Sequence, residues 1–185
     1  SFPGREPGSL GQLVYSLHHS PKIFGIERVD PTSLQLLHVA AHIDAVRERI
    51  LPALRSGQWV ILDRFWWSTW VYGVVGGADL RTLRAMIDVE SLHWGGIRPS
   101  IVFMVTRNMT PNGGPDPDSA RLLDTYLKLV RREKRVCKVQ LVPNDKTVDE
   151  SLAEIANSLI KLLGPLGSMI LEQKSSPKHP ASNVI

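Results

Sequence analysis

The uninterrupted apolar run Ile101-Val102-Phe103-Met104-Val105 constrains the fold more than any other stretch. Five such residues bounded by polar segments read as a strand buried on both faces, the kind found in parallel sheets covered by helices. Helical periodicity flanks it, from Ala78 to Leu92 before and from about Asp118 to Lys134 after. Trp59-Val60-Ile61-Leu62 and Val136 to Val142, which contains Cys137, read as further strands. Strands separated by helices call for a parallel sheet with right-handed crossovers, an α/β fold.

Local signals place the remaining helices. Leu10 to Leu17 reads as a short helix, and Asp30-Pro31 offers an N-cap followed by proline at the first helical position. The helix that begins there sets Leu34, Leu37, Ala41, Val46 and Ile50 toward the core and should bend near Pro52. Thr147-Val148-Asp149-Glu150 has the form of a capping box opening a helix to Leu163. A chain of 185 residues with 43% hydrophobic content supports one domain, expected over residues 1–163. Small residues, prolines and lysines make 164–185 a loose tail.

Composition narrows the chemistry. Lys and Arg give a formal charge of +4 but are scattered rather than striped, and nucleotide phosphates account for that charge as readily as nucleic acid does; the partners expected are small-molecule nucleotides, with no nucleic acid and no membrane. The cluster Arg131-Arg132-Glu133-Lys134-Arg135 reads as a solvated helix end whose cations complement the macrodipole. The single Cys137 excludes an internal disulfide, which fits a reducing compartment and a cytoplasmic setting. No apolar run is long enough to cross a membrane.

The run Asp63-Arg64-Phe65-Trp66-Trp67-Ser68-Thr69-Trp70-Val71-Tyr72 carries the most chemistry. A carboxylate at a strand end can hold Mg2+ or its waters, and the neighbouring guanidinium offers a planar fork to phosphate oxygens; taken alone, an Asp-Arg pair at a strand end is more often a surface pair or turn. Its company decides the reading. Phe2-Pro3-Gly4-Arg5-Glu6-Pro7-Gly8, then Leu36-Leu37-His38-Val39-Ala40-Ala41-His42, then Asp63 to Tyr72 follow in an order and spacing that resemble the thymidylate kinases. The resemblance runs from residue 1 to about residue 163 and implies a three-layer, P-loop-kinase-like parallel sheet flanked by helices.

On that resemblance, Arg5 and Arg64 bind the acceptor nucleotide's phosphate, and Asp63 belongs to the Mg2+ environment. His38 falls where the family places a stacking Phe and His42 where it places a base-binding Arg; Thr69 and Tyr72 match positions lining the base pocket. A structural role for the histidines, for Tyr72 and for the tryptophans stands beside that reading. The resemblance implies a donor side that uses Arg107 and Arg121 as catalytic cations and Asn144 near the adenine; a turn-forming loop with incidental arginines stands beside that reading. The family habit is homodimeric, and the apolar face of the long helix suits either such a contact or the core.

One family element is missing. Nothing in the chain fits Gly-x-x-x-x-Gly-Lys-Ser/Thr. The expectation is a chain without the family's first strand and phosphate loop, either a fragment or a degenerate relative, with little or no kinase activity by itself. The complete protein is expected to transfer the γ-phosphoryl group of ATP to dTMP with Mg2+. The alternatives are a kinase for another deoxynucleotide or deoxynucleoside, or a nucleotide-binding or interaction module that has lost catalysis.

Overall fold

The structure is a computed structural model that describes residues 6–107, 117–145 and 147–164. Its order is α1 (Leu10–His19), a 3-10 turn (Pro21–Phe24), α2 (Pro31–Ala45), a π turn (Val46–Ile50), α3 (Leu51–Arg55), α4 (Trp66–Val75), α5 (Leu80–Trp94), β1 (Val102–Thr106), α6 (Pro117–Glu133), β2 (Val139–Pro143) and α7 (Val148–Leu163). The chain divides into two units. The first holds α1 to α6, and the second holds β1, β2 and α7. Among the described residues no helix is long and apolar enough to cross a membrane.

The first unit is organised around α2. Asp30 caps it by accepting from the backbone N–H groups of Thr32 and Ser33 at 2.9 and 3.0 Å. Its buried positions include Gln35, Val39, Ala41, His42, Ala45 and, in the π turn, Val46 and Ile50. The expected stripe is correct at Ala41, Val46 and Ile50, whereas Leu34 and Leu37 are only half-buried and polar Gln35 and His42 take deep positions. The reason is that α2 packs against α1, α4 and α5, a wider surface than one apolar stripe can serve. Val39, Ala78, Leu83 and Met86 form one core cluster, with Ile43, Trp70 and Val74 packed on it. Ala45, Val46, Ile50 and Trp94 form another, against which Val60, Leu62 and Phe65 pack.

The bend expected near Pro52 takes the form of the π turn, with the Leu51 N–H reaching the Val46 carbonyl. Proline has no N–H to give, and its ring crowds the carbonyl four residues earlier, so the preceding turn widens and the helix resumes as α3.

Three strand expectations need correction. Trp59-Val60-Ile61-Leu62 forms no strand and joins no ladder among the described residues. Val60 and Leu62 pack into the core, while Trp59 and Ile61 are 62% and 88% exposed. Alternating burial gave the run its strand-like sequence, and a strand also needs a neighbouring backbone. The run at 101–105 does form β1, parallel to β2 with Val102 opposite Val139 and Thr106 opposite Pro143. It is not buried on both faces, because Val105 is 51% exposed; among the described residues the sheet has two strands, so each is an edge. Cys137 lies outside β2, in the bend after α6, where its thiol donates to the Glu133 carbonyl at 3.6 Å.

In the second unit, α7 begins with the expected capping box. The Glu150 N–H donates to the Thr147 hydroxyl at 3.2 Å, and the Thr147 N–H donates to the Glu150 carboxylate at 3.0 Å. The Asn144 N–H donates to the Thr106 carbonyl at 2.7 Å, continuing the contact between the strands by one residue.

Candidate functional site

Val60 and Leu62, anchored in the core, hold the chain as it turns at Asp63 and Arg64, both exposed. Arg64 has φ +77°, and it is the non-glycine residue with positive φ among those described. A left-handed conformation costs a bulky side chain of order 1 kcal/mol, so the surrounding packing must impose it. Phe65 supplies that packing, edge-on to Trp94 with ring centroids 5.6 Å apart. The turn then enters α4, the helix that carries the hydroxyls.

The Arg64 guanidinium donates through Nη1 to the Tyr72 hydroxyl at 3.2 Å and lies 5.4 Å from that ring's centroid. Burial opposes its charge, but Tyr72, Tyr126 and Asp63 together hold its pKa above the usual guanidinium value. Four residues into the same segment, Ser68 meets the hydroxyl of Tyr126 on α6 at 2.8 Å. Burial raises the Tyr126 phenol above its ordinary pKa, keeping it a neutral hydroxyl able to donate. A guanidinium and three hydroxyls thus gather where the segment turns, donors suited to an anionic oxygen.

The other candidates fall in different places. Thr69 is buried at 3% exposure, inside the helix packing. His42 is 4% exposed, and its Nδ1 lies 2.8 Å from the Glu90 carboxylate, which also accepts from the Trp94 indole N–H at 3.3 Å. His38, one turn earlier, has Nε2 3.2 Å from Nδ1 of His18 on α1. Burial, then its neighbours His18, His42 and His19, pushes the pKa of His38 down to about 4. Arg121 pairs with Asp118 at 3.7 Å and donates to the Val75 carbonyl at 3.4 Å, at the end of α4. Arg107 is exposed immediately after β1, and the Asn144 side-chain carbonyl lies 3.1 Å from the Ser151 hydroxyl. Arg5 lies outside the described residues.

Sequence reasoning missed Tyr126 and Glu90. Tyr126 reads as one more partly apolar position on an amphipathic helix, and its partner Ser68 is 58 residues away. Glu90 reads as a surface charge on α5, yet it is 1% exposed. Among the described residues no group of three or more His, Cys, Asp or Glu could hold a metal ion. A single exposed carboxylate such as Asp63 fits Mg2+ that takes most of its oxygens from phosphates and water.

The family model for thymidylate kinase matches residues 22–114, half of the chain. The chain belongs to the thymidylate kinase family. The span of the thymidylate kinase match includes His38, His42, Asp63, Arg64, Thr69, Tyr72 and Arg107. The chain is 33% identical over 106 residues to the thymidylate kinase of Legionella pneumophila strain Corby, covering 56% of this chain and 48% of that protein. It is 45% identical over 76 residues to the thymidylate kinase of Chlamydia trachomatis serovar L2, covering 40% of this chain and 36% of that protein. A longer match, 28% over 176 residues, links it to the thymidylate kinase of Methylococcus capsulatus strain Bath, covering 86% of this chain and 80% of that protein. The chain therefore spans about half or less of the first two relatives and most of the third. Family membership implies a P-loop kinase fold, with which the described helices and parallel strand pair are consistent.

Proposed function

We propose that this protein serves phosphoryl transfer from MgATP to dTMP, giving ADP and dTDP, and that the cluster around Arg64 grips the acceptor's phosphate. The observation that carries this reading is the left-handed Arg64 beside Tyr72, with Ser68 and Tyr126 joined at 2.8 Å. A strained cation surrounded by hydroxyls is costly to maintain for packing alone. Gripping the acceptor phosphate leaves one of its oxygens aimed in line at the donor's terminal phosphorus. The chain's contribution is then positioning and charge stabilisation, without a covalent intermediate.

In this reading Arg5 joins Arg64 on the phosphate. His38, His42, Thr69 and Tyr72 belong to the base side, His42 acting through the packing that it shares with Glu90. Arg107 and Arg121 are the cations toward the donor, and Asn144 lies by its adenine. When bound, Mg2+ neutralises charge on the phosphates; Asp63 would hold it through water. A cytoplasmic homodimer goes with the family-based reading. From the 185 residues alone, which contain no Gly-x-x-x-x-Gly-Lys-Ser/Thr, we expect acceptor binding without appreciable turnover.

The histidines at 38 and 42 favour a second reading, in which the acceptor is another deoxynucleotide or a deoxynucleoside; loss of catalysis with retained binding is a third. Calorimetric titration with dTMP, thymidine, dCMP and dGMP separates them. Binding of dTMP that weakens at least tenfold without its phosphate, and again in Arg64→Ala, supports the first. Preference for thymidine or for another base would replace it, and tight dTMP binding unaffected in folded Arg64→Ala would remove Arg64 from the site.

A further inference from the structure

Away from the Arg64 cluster, four imidazoles run in line from α1 to α2. Ring centroids are 4.7 Å apart for His19 and His18, 5.2 Å for His18 and His38, and 6.5 Å for His38 and His42. Packing needs no such row, since each imidazole brings a polar nitrogen that must be satisfied. The chain's outer members are oriented from behind. His19 Nδ1 lies 2.9 Å from the Tyr15 carbonyl and His42 Nδ1 lies 2.8 Å from the Glu90 carboxylate, contacts that fix the proton on Nδ1.

We propose that His18 and His38 form a two-imidazole chelate for a borderline-soft divalent cation, Zn2+ or Ni2+, which ties α1 to α2. The spacing that lets one imidazole hydrogen-bond to the other also fits a shared metal ion. Two imidazoles on one tetrahedral Zn2+, each bound at 2.0–2.1 Å, place their nitrogens about 3.3 Å apart and their ring centroids about 5.2 Å apart. Here Nε2 of His38 and Nδ1 of His18 are 3.2 Å apart, with ring centroids at 5.2 Å and planes at 78°. The two residues are 20 positions apart and on different helices, so the chelate closes a tertiary contact rather than a helical turn.

Burial favours the neutral ring in both residues, the form that binds metal. In the metal-free chain one of the two facing nitrogens donates its proton to the other; loading replaces that hydrogen bond, with the proton of His38 on Nδ1 and that of His18 on Nε2, ordinary tautomers that turn both facing lone pairs to the metal. Among the described residues no third His, Cys, Asp or Glu completes the set, so water fills the remaining positions. Imidazole nitrogen selects Zn2+ or Ni2+ over Mg2+, which prefers oxygen, and so distinguishes this site from any that serves phosphates.

Titration calorimetry of the 185-residue chain with Zn2+ and with Ni2+ tests the chelate. One saturable site is expected, weakened at least tenfold by His18→Gln or by His38→Gln and retained by His93→Gln. The metal should raise the Tm of the unsubstituted chain. Should either variant fail to fold, histidine ring NMR signals of the unsubstituted chain decide the matter. Those of His18 and His38 should move with Zn2+ and stay put with Mg2+. Absence of saturable binding, binding undiminished in a folded variant, or ring shifts confined to other histidines would overturn the proposal.

Discussion

At Arg64 the backbone and the side chain pull in opposite directions. Its φ of +77° suits glycine, while its guanidinium suits an anion. Arg64→Gly is expected to match or exceed the parent in urea stability, because relief of about 1 kcal/mol of strain works against the lost Tyr72 contact, while dTMP affinity falls at least tenfold. A variant that lost stability and kept affinity would make the turn purely structural. His38 sets a second residue-level effect. Its folded pKa of about 4 lies below the ordinary 6.5, so in between the unfolded chain binds more protons than the folded one. Stability is therefore full above pH 6.5 and lost as pH falls toward 4, with His18 shifted in the same direction. Urea midpoints across that range should drop in the parent, and drop less in His38→Gln.

At the scale of elements, Gly73 marks a close approach of α4 to α5 and α2. A Cβ there would meet Leu83 side-chain carbons at 2.6 and 2.8 Å and the Gln35 side chain at 3.2 Å. Alanine is the better helix former by up to about 1 kcal/mol, but Leu83 is fully buried and has little room to turn away. Gly73→Ala is therefore expected to destabilise by about 1 kcal/mol in urea unfolding, overpacking winning over propensity. At α7 the balance is simpler. Thr147→Ala removes the hydroxyl that accepts from the Glu150 N–H and should cost about 1 kcal/mol, read as a lower thermal midpoint. The capping box was legible because all its partners lie within four residues. The π turn was legible only as a bend, since Pro52 announces a broken hydrogen bond without saying which carbonyl will accept in its place.

For the molecule as a whole, the pair His42 and Glu90 joins α2 to α5 across 48 residues, with Trp94 on the other carboxylate oxygen. Removing one member strands polar atoms in a dry interior, so Glu90→Ala is expected to lower urea stability by about 3 kcal/mol, while the double variant with His42→Ala loses less than the sum of the two singles. Strict additivity would deny the coupling. Sequence alone determined the α/β class, the caps at Asp30 and Thr147, the positions of α1, α2, α5, α6 and α7 and the family-bearing run from Asp63 to Tyr72, because periodicity, capping and motif are local. Tertiary structure decided which apolar run found a strand partner, that Glu90 and His42 are core, and that Tyr126 and His18 meet Ser68 and His38. Each of those depends on atoms brought together from 20 to 58 residues apart, where pairing and burial are set by the packing of whole helices and leave no periodic trace in the chain.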